Sequence, residues 1–240
     1  MRLSKSKVND FLSCRRKFKY RYIDEISVPQ NEYAHKGTVV HTLAENVARE
    51  LQSSDNITSD LVTKLIDMYY DGSEFDIQEH AASLSQFFID MLIGGGYKIF
   101  GIEDEIYDEA YDLKGFVDII LEDQDGNLSI VDYKSSKNPK GIREYIKELC
   151  IYKYLVETKY PDHKVSTAGI FFTATNQYRC TNFVETQNKG SYTNEEDYRS
   201  VFELMDWIRG MIDDEQFQPN RSYSCKFCDY QEQCEKDGGF

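Results

Sequence analysis

The segment Asp123-Gln124-Asp125-Gly126-Asn127 lies between two runs rich in Ile, Val, Leu and Tyr, Tyr111 to Glu122 and Leu128 to Tyr133. A glycine among Asx residues between such runs is the signature of a β-hairpin. With the turn centred near Asp125, residues whose numbers sum to 250 stand opposite each other. Ile120 then faces Ile130, and Asp118 faces Asp132. Opposed Cβ atoms in an antiparallel pair are about 4.5–5.5 Å apart. Two carboxylates at that distance repel, so one binds a proton unless a cation sits between them. Aspartate is also depleted in strand interiors. Hard oxygen ligands in this arrangement call for Mg²⁺ or Mn²⁺. Lys134, two residues beyond Asp132, emerges on the same strand face. An ammonium there can orient a water or neutralise charge developing on a phosphate. The plainer reading is a salt bridge between Lys134 and Asp132 at the end of a strand.

The rest of the chain places this hairpin in an α/β layered domain. Apolar periodicity predicts helices over Ser4–Tyr22, Lys36–Leu51, Asp60–Tyr70 and Gln78–Ile93, with Gly94-Gly95-Gly96 ending the last. A further strand is expected over Lys98–Tyr107. Helices follow over Ile142–Tyr160 and Glu195–Asp214, with a second hairpin, Ser166–Thr175 and Gln177–Thr186, between them. The 240 residues are read as one domain, 1–240. Within it, 1–97 is a helical region carrying Cys14 and His41, 98–186 is the core, and 187–240 holds a helix and a cysteine cluster. No apolar stretch suits a signal peptide or a membrane span, so the expected setting is cytoplasmic, without a membrane partner.

Six cysteines in such a chain are expected to be thiols or metal ligands. Cys225, Cys228 and Cys234 are closely spaced in a polar tail, and Cys14, in a basic helix, is the candidate fourth ligand. Four thiolates suit either Zn²⁺ or a cubane iron–sulfur cluster. Cys150 and Cys180 read as small apolar residues. His41 shares a helix face with Glu45 one turn on, and Gly37, one turn before it, lets that face approach a strand.

In chain order these features resemble one family. Gly115-Phe-Val-Asp118 followed by Asp132-Tyr-Lys134 is similar to the GxxD…(D/E)xK core of the PD-(D/E)xK nuclease superfamily. Gly37-Thr-Val-Val-His41 resembles the GxxxH motif of its RecB-like branch. That branch includes CRISPR-associated RecB-like nucleases and the AddB nuclease domain. Glu148-Leu-Cys-Ile-Tyr152 falls where the branch carries Gln-x-x-x-Tyr, and the carboxylate of Glu148 cannot donate the hydrogen bond of that glutamine. The split cysteine set resembles the branch's [4Fe–4S] clamp on Cys14, Cys225, Cys228 and Cys234.

The resemblance implies a central mixed sheet flanked by helices and a metal-dependent deoxyribonuclease acting on DNA ends or single strands. His41, Asp118, Asp132 and the carbonyl of Tyr133 would hold Mg²⁺ or Mn²⁺, with Lys134 beside them. An acidic residue ahead of the GxxD strand would be Glu103 or Glu105. Protein partners in a DNA-processing complex are also implied. The alternative is a catalytically weak or inactive nuclease-derived subunit that binds DNA or serves as a scaffold.

Composition seems to oppose a nucleic-acid partner, because the formal net charge is −14. It is unevenly divided: residues 1–22 carry +7 and the remaining 218 carry −21. Such polarity excludes a protein coated in positive charge, but it is consistent with a local phosphate track. Arg15, Arg16, Lys17 and Lys19 are the expected contacts, with Tyr152 aligning the strand and Phe18, Tyr20 and Tyr22 offering rings for base stacking.

Overall fold

The computed structural model describes residues 1–29, 31–72, 75–183 and 195–239. Six strands form one mixed sheet: β1 (Leu3–Ser4), β2 (Lys98–Asp108), β3 (Leu113–Glu122), β4 (Leu128–Lys134), β5 (Val165–Phe172) and β6 (Gln177–Asn182). The Asp123–Asn127 turn is held by the Asp123 side chain, whose Oδ1 accepts from the amides of Asp125 and Asn127. It sets the expected register, with Ile120 opposite Ile130 and Ile119 opposite Val131. β4 and β5 run parallel across the connecting helix α6 (Ile146–Lys159), and β5 and β6 form the second hairpin. Expected strand residues 184–186, and residues 187–194 of the C-terminal region, lie outside the described residues.

The sheet separates two cores. On one face pack α3 (Glu32–Gln52), α4 (Ser59–Tyr69) and α5 (Gln78–Phe88), burying Val40, Leu43, Val47, Leu65, Leu84 and Phe88 against Ile119, Leu121 and Val131. On the other lie α1 (Lys5–Ser13), α2 (Arg15–Tyr22), α6 and α7 (Glu195–Asp213), around Phe11, Phe18, Leu149, Leu155 and Met205. A short α8 (Gln231–Lys236) ends the fold. No helix among the described residues is long and apolar enough to cross a membrane.

Three details differ from the expected elements. The helix expected over Ser4–Tyr22 is two, because Cys14 is extended (φ −160°, ψ 113°) and serves as the last cap of α1 and the first of α2. The helix ending at the triple glycine closes in a π-helical turn, Ile89–Gly94, with Gly96 at φ +66°. The two-residue strand β1, too short for any periodicity to register, pairs in parallel with Leu113 and Lys114 of β3.

This last pairing positions the site. β2 occupies one edge of β3 along its whole length. The other edge is divided, with β1 against Leu113–Lys114 and β4 against Ile119–Glu122. The uncovered stretch between them, residues 115–118, contains Gly115 and Asp118. A Cβ at Gly115 would stand 2.6 Å from Leu155 Cδ1, so the Leu155 side chain of α6 fills the space that a larger residue there would need.

Candidate active site

Asp118 lies where the strand alternation slips. Leu113, Val117 and Ile120 belong to one core, whereas Ile119 and Leu121 belong to the other. Across the β2 edge, Ile102 pairs with Ile119 and Asp104 with Val117, so Glu103 stands between these rungs with Asp118. Glu103 has φ +44°, a left-handed conformation that a carboxylate residue adopts at a cost in strain. This irregularity turns both acids toward α3.

There they meet His41. Its Nδ1 lies 3.5 Å from Asp118 Oδ2, and its Nε2 lies 3.1 Å from the Tyr133 carbonyl oxygen. Ligand atoms of His41, Glu103 and Asp118 all fall within 4.8 Å of one another. Gly37 faces Ser135, just past β4, but a Cβ there would make only an ordinary contact, 3.4 Å from Ser135 Oγ, so the approach does not require glycine. Glu103 therefore joins the site, while Glu105 pairs with Lys114. Glu45 does not reach His41: its carboxylate accepts from Arg49 at 2.8 and 2.9 Å.

Asp132 points to the other side of the same site. Its Oδ2 is bound by Lys134 and its Oδ1 by Lys5, at 2.6 Å, while the Tyr152 hydroxyl donates to Oδ1 at 3.4 Å. The expected shared face of Asp132 and Lys134 is thus present. Lys134 also lies 3.7 Å from Glu148, which is buried and accepts from Asn9 at 3.1 Å. Lys5 carries no signal that sequence patterns could weigh, because only the pairing of β1 brings it here.

Environment drives the two aspartates apart. Burial, reinforced by the charge of Asp132, pushes the Asp118 carboxyl up to about 7. Asp132, although wholly buried, is held well below the usual carboxylate range by the ammonium groups of Lys5 and Lys134. Burial raises Glu103 as well. Clustered acids of raised pKa beside an imidazole and a carbonyl oxygen are a donor set short of positive charge. A hard divalent cation fits it.

Behind β4 lies a support that the sequence did not reveal. The hydroxyl of Thr173, fully buried, donates to the Lys134 carbonyl at 3.3 Å, and His80 Nδ1 lies 2.8 Å from that hydroxyl. His80 is 2 % exposed, and burial lowers its pKa. Its link to the strand end is tertiary, and nothing in the local pattern around it marks it.

Cys14, Cys225, Cys228 and Cys234 line one cavity of about 230 Å³, bringing the chain ends together. The amide of Asn220 donates to Cys14 Sγ and that of Ser222 to Cys225 Sγ, each at 3.4 Å. Burial, together with the neighbouring thiols, raises the pKa of Cys234. Among the described residues, His41, Glu103 and Asp118 form the one three-ligand group within 4.8 Å, so no three of these sulfurs are that close. A tetrahedral zinc site with Zn–S near 2.3 Å would hold its sulfurs about 3.8 Å apart. The four thiols are a donor set for either a zinc ion or an iron–sulfur cluster. Cys150 is buried as expected, whereas Cys180 is exposed on β6, contrary to its reading as a small apolar residue.

The basic helix α2 is placed beside this cavity. Arg16 donates to the Phe217 carbonyl, Lys17 lies 3.4 Å from Asp10, Lys19 pairs with Asp24, and Arg15 lies over the Trp207 ring. The stacking role expected of Phe18 and Tyr20 does not hold. They are 0 % and 2 % exposed because their face of α2 packs into the fold, and the Tyr22 hydroxyl is bound to Asp10. Tyr152 is likewise buried, at the site rather than on a surface track.

The comparison with curated proteins finds no match. Among solved structures, the crystal structure of SSO0001 is 14 % identical, covering 84 % of this chain and 98 % of its own, with a TM-score of 0.39. The family comparison is decisive. The model of the PD-(D/E)XK nuclease superfamily matches residues 2–235. Because the match runs from β1 into α8 rather than over one motif, the chain belongs to the PD-(D/E)XK nuclease superfamily.

Proposed function

We propose that the protein is a Mg²⁺- or Mn²⁺-dependent deoxyribonuclease of the RecB-like branch, acting as an exonuclease on DNA ends or single strands. The observation that carries this reading is the convergence of His41, Glu103 and Asp118 within 4.8 Å, beside an Asp132 already paired to Lys134. His41, Glu103, Asp118 and the Tyr133 carbonyl would hold the ion, with Asp132 as a further oxygen ligand. When bound, the ion supplies charge neutralisation at the phosphate and acidifies water.

The chain's own groups supply orientation and charge. Lys134, fixed by Asp132 and near Glu148, directs its ammonium to a water or to a phosphate oxygen. Hydrolysis forms a bond from the water oxygen to phosphorus and breaks the phosphorus–oxygen bond to the leaving sugar. The water's proton is lost as the leaving oxygen gains one. Tyr152 holds Asp132 Oδ1, limiting where that carboxylate can turn.

The cysteine cavity is read as a [4Fe–4S] site. Four cysteines on one cavity, with amide N–H donors to Cys14 and Cys225, suit the thiolate ligands of such a cluster. Anaerobically purified protein should then be brown and contain about four irons per chain.

Labelled single- and double-stranded DNA, incubated with Mg²⁺, Mn²⁺ or EDTA, tests the activity. Cleavage should require the metal and fall by about a thousandfold in Lys134→Ala, the scale of losing a preorganised charge in a catalytic site. Equal cleavage by wild type and Lys134→Ala would reject this site, and binding without cleavage would favour a scaffold subunit.

A further inference from the structure

We propose that Lys5 is a phosphate-binding residue of this site, parked on Asp132 until metal loading releases it toward the nucleic-acid strand. The inference rests on the nuclease reading and concerns a residue outside the Asp118–Lys134 hairpin. Lys5 is fixed by its backbone. Leu3 and Ser4 pair with Leu113 and Lys114, and the Ser4 side chain accepts from the Lys7 amide to start α1 at Lys5. The first helical side chain therefore projects over the uncovered edge of β3. Its Nζ reaches Asp132 Oδ1 at 2.6 Å and lies 4.8 Å from the centre of the Tyr152 ring.

Asp132 thus carries two ammonium groups, one on each oxygen. Lys134 belongs to the same strand and needs no other tether. Lys5 also lies within the field of Asp118, so a cation held by Asp118 would compete with it for Asp132. A divalent ion there repels Lys5 and attracts Asp132, so both changes favour release. Released, the side chain has somewhere to go. A cavity of about 400 Å³ opens beside it, lined in part by Asp118 and Tyr152. Four of its eleven lining residues, Arg2, Lys5, Lys7 and Lys114, are cationic, a concentration of charge that suits a phosphodiester. A flexible four-carbon stem lets one ammonium serve both positions.

Lys5→Met and Lys5→Arg test this by two binding measurements that need no turnover. The first is Mn²⁺ titration calorimetry without nucleic acid. The second is fluorescence anisotropy of a labelled single-stranded oligonucleotide in Ca²⁺ over a range of salt. Lys5→Met should bind Mn²⁺ about fivefold more tightly, because the competing and repelling cation is gone. It should bind the oligonucleotide about tenfold more weakly, with the log–log salt slope reduced by about 0.7. Lys5→Arg should regain most of the oligonucleotide affinity. A tether that merely docks α1 would instead lower both affinities together with Tm, and that result, or no change in either, overturns the role. Wild type that binds no Mn²⁺ would sink the nuclease reading itself, and the role of Lys5 with it.

Discussion

The molecule gathers candidate ligands in two places, and it builds them in opposite ways. At the carboxylate site, donors come from paired strands and the middle of a 21-residue helix; Asp118 and Asp132 are buried, His41 and Glu103 half-buried, and ion pairs hold Asp132 before any ion arrives. At the thiol site they come from a helix break and from short helical turns near the end of the chain, and all four cysteines are only partly buried. The first resembles a core that has acquired charge; the second resembles a seam between the two chain ends. Sheet geometry preorganises the carboxylates at a cost in stability, since Asp118 is buried with little compensation. Around the thiols the chain ends meet through single hydrogen bonds, Tyr20 to Asp237 and Asn220 to the Ser13 carbonyl.

Paired variants would break that contrast most decisively. Asp118→Asn should lower cleavage by about a thousandfold, as expected for a lost metal ligand. Its Tm without metal should equal or exceed that of wild type, because Asn keeps an acceptor for the Tyr133 amide without the buried charge. Cys225→Ser should do the reverse to stability. Opening a closure that spans most of the chain costs about 3–5 kcal/mol, or on the order of 10 °C in Tm at this size. Thermal unfolding of both variants, beside cleavage rates, checks the pair. A large Tm loss in Asp118→Asn, or none in Cys225→Ser, would reverse the assignment of stability and function to the two sites.

A smaller effect tests whether the carboxylate site is rigid by construction. His80 is buried against Thr173, which holds the Lys134 carbonyl. Burial lowers its pKa, the charges of Lys36 and Lys137 lower it further, and Glu79 and Asp76 partly oppose them. A base whose pKa is lowered on folding contributes stability that is present above its unfolded value near 6.5 and lost as pH falls through the lower folded value. Wild type should therefore lose stability between pH 7 and pH 5 that His80→Gln does not lose. Denaturant midpoints at the two pH values measure it. Parallel losses in both proteins would remove His80 from the support of β4.

The two sites were unequally legible in the sequence, for physical reasons. Asp132 and Lys134 could be read because a two-residue side-chain period fixes a strand face, and Asp118 because one good turn sets the hairpin register even though the alternation slips at that residue. His41 could be read because a helix carries its own spacing. Glu103 could be narrowed only to a choice with Glu105, since a left-handed residue in a strand obeys no period. Lys5 and His80 were invisible, as each arrives by tertiary pairing rather than by local pattern. The four cysteines were matched by type and order, while the break at Cys14 that aims one of them was hidden within a helical pattern. Reading α2 as an aromatic stacking surface failed because charge marks exposure of one helix face and says nothing of the opposite one.

The smallest effect concerns that helix, and it asks whether the thiol site also touches nucleic acid. Lys17 and Lys19 are both neighbours of acids, Asp10 and Asp24, and Lys19 is 36 % exposed at its side chain. An exposed ion pair contributes about 0–1 kcal/mol, so a phosphate can displace the carboxylate at little cost. If the strand passes α2 on its way to Lys134, Lys19→Ala should weaken single-stranded oligonucleotide binding about threefold and lower the salt slope by about 0.7. Lys17→Ala should behave alike but less strongly, because Lys17 is the more buried of the two, at 25 %. Arg16→Ala is the contrasting case. Its Nε is committed to the Phe217 carbonyl and it lines the cysteine cavity, so its loss should lower Tm more than the salt slope. Anisotropy titrations at several salt concentrations separate these outcomes. Unchanged slopes in Lys17→Ala and Lys19→Ala would confine nucleic-acid contact to the cleft around Lys5 and Lys134, leaving the thiol site a purely structural closure.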